Sequence, residues 1–128
     1  MKKKTILVFP AFVMVLFFIK CTSRKEDIAY PPPICDTSVV RLSVEIKNIL
    51  TANCLVCHGN DVYASDGGGY QLENYAVISA LARGGTLLHA ITHDDPDNYV
   101  PMPKNASRLS DCDINKFRAW INRGANDN

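Results

Sequence analysis

Five consecutive residues constrain this chain more than any others: Cys54-Leu55-Val56-Cys57-His58. Two thiols three positions apart, followed at once by an imidazole, form the spacing with which a chain takes up a haem covalently. On a turn leaving a helix, the thiols reach the two vinyl groups on one edge of a porphyrin. The next residue, His58, is then held under the iron, where an imidazole serves as the proximal ligand. Five residues match such a pattern by chance often enough that the flanking sequence has to decide. Here an export-like leader precedes the motif, a helical pattern runs into it, and Met102-Pro103 follows at a suitable distance.

The leader is residues 1–20. Lys2, Lys3 and Lys4 form a positive start, and Ile6 to Ile19 an apolar stretch interrupted by Pro10. That stretch is short for a membrane span and reads as a cleaved secretory signal. Phe18-Ile19-Lys20-Cys21 loosely matches a bacterial lipobox, with Cys21 as the acylated residue, although Lys20 stands where a small residue is usual. Ordinary cleavage nearby, or an uncleaved anchor, is the alternative. Residues 21–34 read as a tether, polar at first and ending in Pro31-Pro32-Pro33, which favours extended backbone. The folded domain is expected over residues 35–126.

Four of the 14 Lys and Arg fall in the leader, so the remainder carries 10 of them against 13 Asp and Glu. Such a balance offers no basic patch for nucleic acid. The five cysteines divide by role. Cys21 goes to the anchor, and Cys54 and Cys57 to the haem. Cys35 and Cys112 remain, an even pair in an oxidising compartment, and a disulfide between them would staple the two ends of the domain. Two free buried thiols are the plainer alternative.

Where the sequence is periodic, the period is helical. Ser43 to Asn53 carries Val44, Ile46, Ile49 and Leu50 on one stripe, with Ser43 as the expected N-cap, and delivers Cys54 to its end. Residues 59–70 are loop, closing on Gly67-Gly68-Gly69. Those glycines either let backbone approach a flat ligand edge or form a plain flexible turn. Asn74 to Arg83 is a second helix, stopped by Gly84-Gly85, and Thr86 to Thr92 a short third. His93 to Leu109 has no periodicity. Ser110, with Asp113 three residues on, caps a last helix whose buried face is Ile114, Phe117, Trp120 and Ile121, and Gly124 stops it. The expected fold is small and all-α, without significant sheet, wrapped around one covalent haem. A domain this small gains from a flat apolar group that completes its core.

Function turns on the second axial position. Met102 leads, because it lies in a structureless loop between Pro101 and Pro103, which stiffen it. His/Met ligation fills both faces of the iron and suits electron transfer. Met102 as a core gap-filler is the alternative. His89 and His93 are rival ligands, four residues apart on one helical face. Asp94, Asp95, Asp97 and Asn98 lack calcium-loop spacing and read as a solvated acidic loop. Arg83 is either a partner for a haem propionate or a helix C-terminal cation. Trp120 either packs on the haem edge or is a core aromatic, the plainer reading.

These residues carry a family resemblance. Ile46-Lys47-Asn48-Ile49-Leu50-Thr51-Ala52-Asn53 leading into Cys54, then Met102-Pro103, then Leu109-Ser110-Asp111 and Trp120-Ile121 with Gly124-Ala125, resemble the class I c-type cytochromes, in particular the small exported bacterial lipoprotein cytochromes. The resemblance covers about residues 35 to 126. It implies covalent haem through Cys54 and Cys57, axial His58 and Met102, and first and last helices crossing beside the haem. The pair Cys35/Cys112 is not part of that family pattern. The expected function is one-electron transfer, not substrate turnover, by a free carrier or by the haem module of a larger respiratory complex. It would take place in the bacterial periplasm or cell envelope, with a membrane tether through Cys21 and redox partner proteins docking transiently. The rivals are an open-site haem protein that binds a gas or peroxide, and a structural zinc module in which Cys54 and Cys57 join Cys35 and Cys112.

Overall fold

Three helices among the described residues begin where a side chain or a distant residue supplies acceptors to their otherwise unpaired first amides. A computed structural model of the protein describes residues 34–128; the leader, Cys21 and the tether up to residue 33 lie outside the described residues. Among the described residues there are five α-helices and no strand. The first begins with a π-helical turn, Leu42–Ile46, that runs directly into α1, Lys47–Asn53. Ser43 is not its N-cap, contrary to expectation. Arg41 holds that position, and its amide donates to Oε2 of Glu45 at 2.8 Å. That bond holds the Glu45 carboxyl below the usual carboxylate range. The next two amides are met by Asn128. Its side-chain oxygen accepts from Leu42 and its backbone oxygen from Ser43, at 2.8 and 2.9 Å. With an acceptor arriving from 86 residues away, the Ser43 hydroxyl is not needed. Val44 also leaves the expected stripe and is exposed, while Ile46, Ile49 and Leu50 are buried.

The α1 geometry breaks at Cys54, and a single turn, α2 (Leu55–His58), follows. α3 spans Tyr75–Arg83 and starts on Asn74, whose side chain accepts from the amides of Ala76 and Val77. α4 spans Thr86–Thr92 and α5 spans Asp111–Asn122. Ser110 caps α5 as its sequence indicates. Its hydroxyl accepts from the Asp113 amide at 3.1 Å and donates to the Asp113 carboxylate at 2.8 Å. Gly124 ends the element with φ +97°, a conformation that L side chains adopt at a cost.

α5 packs against the π-helical turn on one side and α4 on the other, and α3 packs on α4. Their shared core is Ile46, Ile78, Ile91, Ile114, Phe117 and Trp120, all fully buried. Trp120 satisfies its one donor by giving Nε1–H to the Asn126 carbonyl at 2.9 Å. It belongs to the helical core and does not line the cavity described below. Truncating Phe117 to alanine at the centre of this core would cost about 3–5 kcal/mol.

Two long-range ties close the domain. Cys35 is bonded to Cys112, with Cα atoms 5.4 Å apart across 77 residues. Arg123 adds to this by donating to the carbonyls of Thr37 and Ser38 at 2.8 and 2.9 Å. No helix among the described residues is long and apolar enough to cross a membrane.

Candidate functional site

Beside the core lies a cavity of about 330 Å³, within the range of ligand pockets. The turn that ends α1 and forms α2 supplies Asn53, Cys54, Val56, Cys57 and His58 to its wall. The loop between α4 and α5 supplies Tyr99, Val100, Met102, Pro103 and Lys104. α4 supplies Thr86, Leu87, Ala90 and Ile91, and Leu72, Leu81 and Leu109 complete an apolar lining. Every residue of the expected attachment and ligand set, Cys54, Cys57, His58 and Met102, therefore borders one cavity, although 44 residues separate His58 from Met102 in the chain.

His58 is held by a loop the sequence left undefined. Residues 59–70 form successive turns that return over α2, and His58 Nδ1–H donates to the Tyr70 carbonyl at 3.0 Å. A carbonyl only accepts, so this bond assigns the proton to Nδ1 and leaves Nε2 with its lone pair. Metal-binding histidines are characteristically oriented this way. The His58 carbonyl in turn accepts from the Leu72 amide at 3.0 Å, tying the turn to the cavity wall. One of the three glycines, Gly67, serves this approach. A Cβ on Gly67 would stand 2.6 Å from the Cys57 carbonyl oxygen and 2.8 Å from His58 Nδ1. The close approach is thus to the His58 turn, a use of the glycines that neither reading of the sequence contained.

Cys54 and Cys57 are both free thiols, in contrast to the bonded pair Cys35–Cys112. Burial pushes the Cys54 thiol up to about 11, so it is protonated at neutral pH. The donor set around the cavity is two uncommitted thiols, an imidazole with a free Nε2 and a thioether. The walls are apolar, and Lys104, Asn98 and Thr86 add polar groups. This combination fits a flat apolar macrocycle that is held by two thioether bonds and carries a metal with two axial positions. Cys54 and Cys57 would hold it to the chain, and His58 and Met102 would flank its metal.

The other sequence candidates are placed elsewhere. His89 Nδ1 pairs with the Asp94 carboxylate at 2.8 Å, and its ring stacks on Tyr99 with centroids 4.7 Å apart. The hydrogen bond from His89 holds the Asp94 carboxyl below its ordinary range. His93 Nε2–H donates to the Met102 carbonyl at 2.9 Å. Neither histidine lines the cavity. Arg83 does not line it either. Its guanidinium donates to the carbonyls of Gly124 (3.1 and 2.9 Å) and Ala125 (3.3 Å) and to the Tyr75 hydroxyl (3.1 Å), locking α3 to the end of α5. The four-thiolate arrangement does not form, because Cys35 and Cys112 are spent on each other. Among the described residues no group of three or more His, Cys, Asp and Glu side chains gathers to hold a metal ion. The sequence missed the Tyr70 carbonyl, the Gly67 contact and the His93 bond. Two of these engage backbone oxygens, and the third depends on a side chain that is absent.

No family model matches the chain, and neither a curated protein nor a solved structure matches it.

Proposed function

We propose that this protein is a monohaem c-type cytochrome that carries single electrons in the bacterial cell envelope, exported by its leader and tethered through Cys21. The observation that carries the reading is the meeting of Cys54, Cys57, His58 and Met102 around one apolar cavity, with His58 Nδ1 already committed to the Tyr70 carbonyl. Haem, when bound, supplies a one-electron couple.

The chain's own residues do the rest. Cys54 and Cys57 anchor the group at one edge, so it is not lost on reduction or dilution. His58 offers Nε2 in a fixed orientation and tautomer. Met102, from the loop between α4 and α5, would offer a neutral sulfur donor, which favours the reduced state. Leu72, Leu87, Ile91 and Leu109 give the site an apolar wall. Val56 is 78% exposed and Val100 62%, so the cavity has an apolar rim open to a transiently docked redox partner. The Cys35–Cys112 disulfide is compatible with an oxidising, exported location.

The experiment is a comparison of ferric absorption spectra between the protein and Met102→Ala, both produced with haem-attachment machinery. The reading expects a sulfur-to-iron charge-transfer band that the variant loses, together with binding of imidazole by the variant at low concentration. Identical spectra would remove Met102 from the iron and favour a histidine ligand or an open site that takes a gas or peroxide.

A further inference from the structure

We infer that His93 is a positioning residue for Met102: its ring clamps the Met102 backbone to the carbonyl end of α4 and so slows departure of the thioether from iron. This rests on the proposed ligation by Met102.

Met102 sits in a long irregular segment, residues 93–110, between α4 and α5. Such a segment opens locally unless something ties it down. Two hydrogen bonds do so at Met102 itself. Its amide donates to the Ala90 carbonyl at 2.8 Å, and its carbonyl accepts from His93 Nε2 at 2.9 Å. The first uses a carbonyl that the end of α4 leaves free. The second is made by a side chain placed for it. His93 is the C-cap of α4, with φ 59° and ψ 27°, and its own amide donates to the His89 carbonyl at 3.1 Å. A left-handed residue here turns the chain off the helix axis. α4 therefore plays two parts: Leu87, Ala90 and Ile91 wall the cavity, and the helix end grips the ligand loop. The bond to a carbonyl puts the proton on Nε2, so that nitrogen is not free to replace Met102 on the metal.

The test is the rate at which imidazole replaces the sixth ligand of the ferric holoprotein at saturating imidazole, where loop opening limits the reaction. His93→Ala removes the donor and is expected to raise that rate about fivefold, the equivalent of one ordinary hydrogen bond. His93→Gln retains an N–H donor on a side chain of similar length and is expected to restore most of the original rate. Arg83→Ala weakens the fold at a distance from the cavity and is expected to leave the rate unchanged, which separates the clamp from general destabilisation. A His93→Ala rate equal to the parent's would overturn the inference. So would equal acceleration in His93→Ala and His93→Gln, or acceleration by Arg83→Ala of the same size. If the parent already reacts as fast as Met102→Ala, ligation by Met102 itself fails, and the clamp falls with it.

Discussion

His58 and Tyr70 are joined by a 3.0 Å hydrogen bond from ring Nδ1 to backbone carbonyl, and Gly67 lies in the crook of the loop that makes this possible. The contact links local sequence to site chemistry, because a loop of turns reaches back over α2 only where no side chain intervenes. Gly67→Ala forces a methyl group to 2.6 Å from the Cys57 carbonyl and 2.8 Å from His58 Nδ1. Backbone atoms must shift, at a cost of about 1–3 kcal/mol. Urea unfolding should show that loss. Gly69→Ala should cost less, since nothing lies within 4 Å of that position and only its φ of +88° opposes the change.

The disulfide closes a loop of 77 residues. On the chain-entropy account such a closure is worth roughly 4 kcal/mol, acting through the unfolded state. Cys35→Ser with Cys112→Ser should lower the thermal midpoint, and adding reductant to the parent should lower it to the same value. The absorption spectrum should stay as it was, because neither residue lines the cavity. A midpoint unaffected by both treatments would contradict the staple.

Arg83 makes four hydrogen bonds, three of which hold the end of α5 to α3. Arg83→Ala should destabilise the domain by about 1–3 kcal/mol, since the bonds are charge-assisted but the residue is exposed. The reduction potential of the loaded protein should not move. A shift in potential with unchanged stability would instead place Arg83 beside the cofactor.

Burial raises the Cys54 thiol from 9.0 to about 11. The folded state therefore prefers the protonated thiol. Its contribution to stability is complete below about pH 9 and is lost as pH rises from there to about 11. In the haem-free chain carrying Cys21→Ser and Cys57→Ser, alkylation of Cys54 at pH 8 should be about a hundredfold slower in buffer than in urea, following the thiolate fractions. Equal rates would mean that Cys54 is not buried before it is loaded.

Much of this architecture was legible in the sequence because it depends on local pattern. The stripes of α1 and α5, the Ser110 cap with Asp113, and the glycines after α3 and α5 lie within a few residues of what they determine. The meeting of Met102 with the Cys54–His58 turn was expected from the stiff loop between Pro101 and Pro103 that follows the motif, as well as from the resemblance. What stayed hidden depends on distant backbone. Asn128 supplies acceptors to the first amides of the first helix in place of Ser43, Arg83 is drawn to carbonyls 41 and 42 residues away, and His93 reaches the Met102 carbonyl. Every residue has a carbonyl, so composition and spacing cannot mark the ones that a fold will use. Gly67 was marked as a turn former, but what the absent side chain makes room for emerges only when His58 is in place.

The most direct test of the central claim is the mass and colour of the protein after denaturation, following production with haem-attachment machinery. One haem per chain, retained in denaturant and visible after electrophoresis, is the expected result, and Cys54→Ser with Cys57→Ser should abolish it. A colourless protein, or colour that separates from the chain on unfolding, would contradict a covalent haem at Cys54 and Cys57, and the electron-carrier assignment would fall with it.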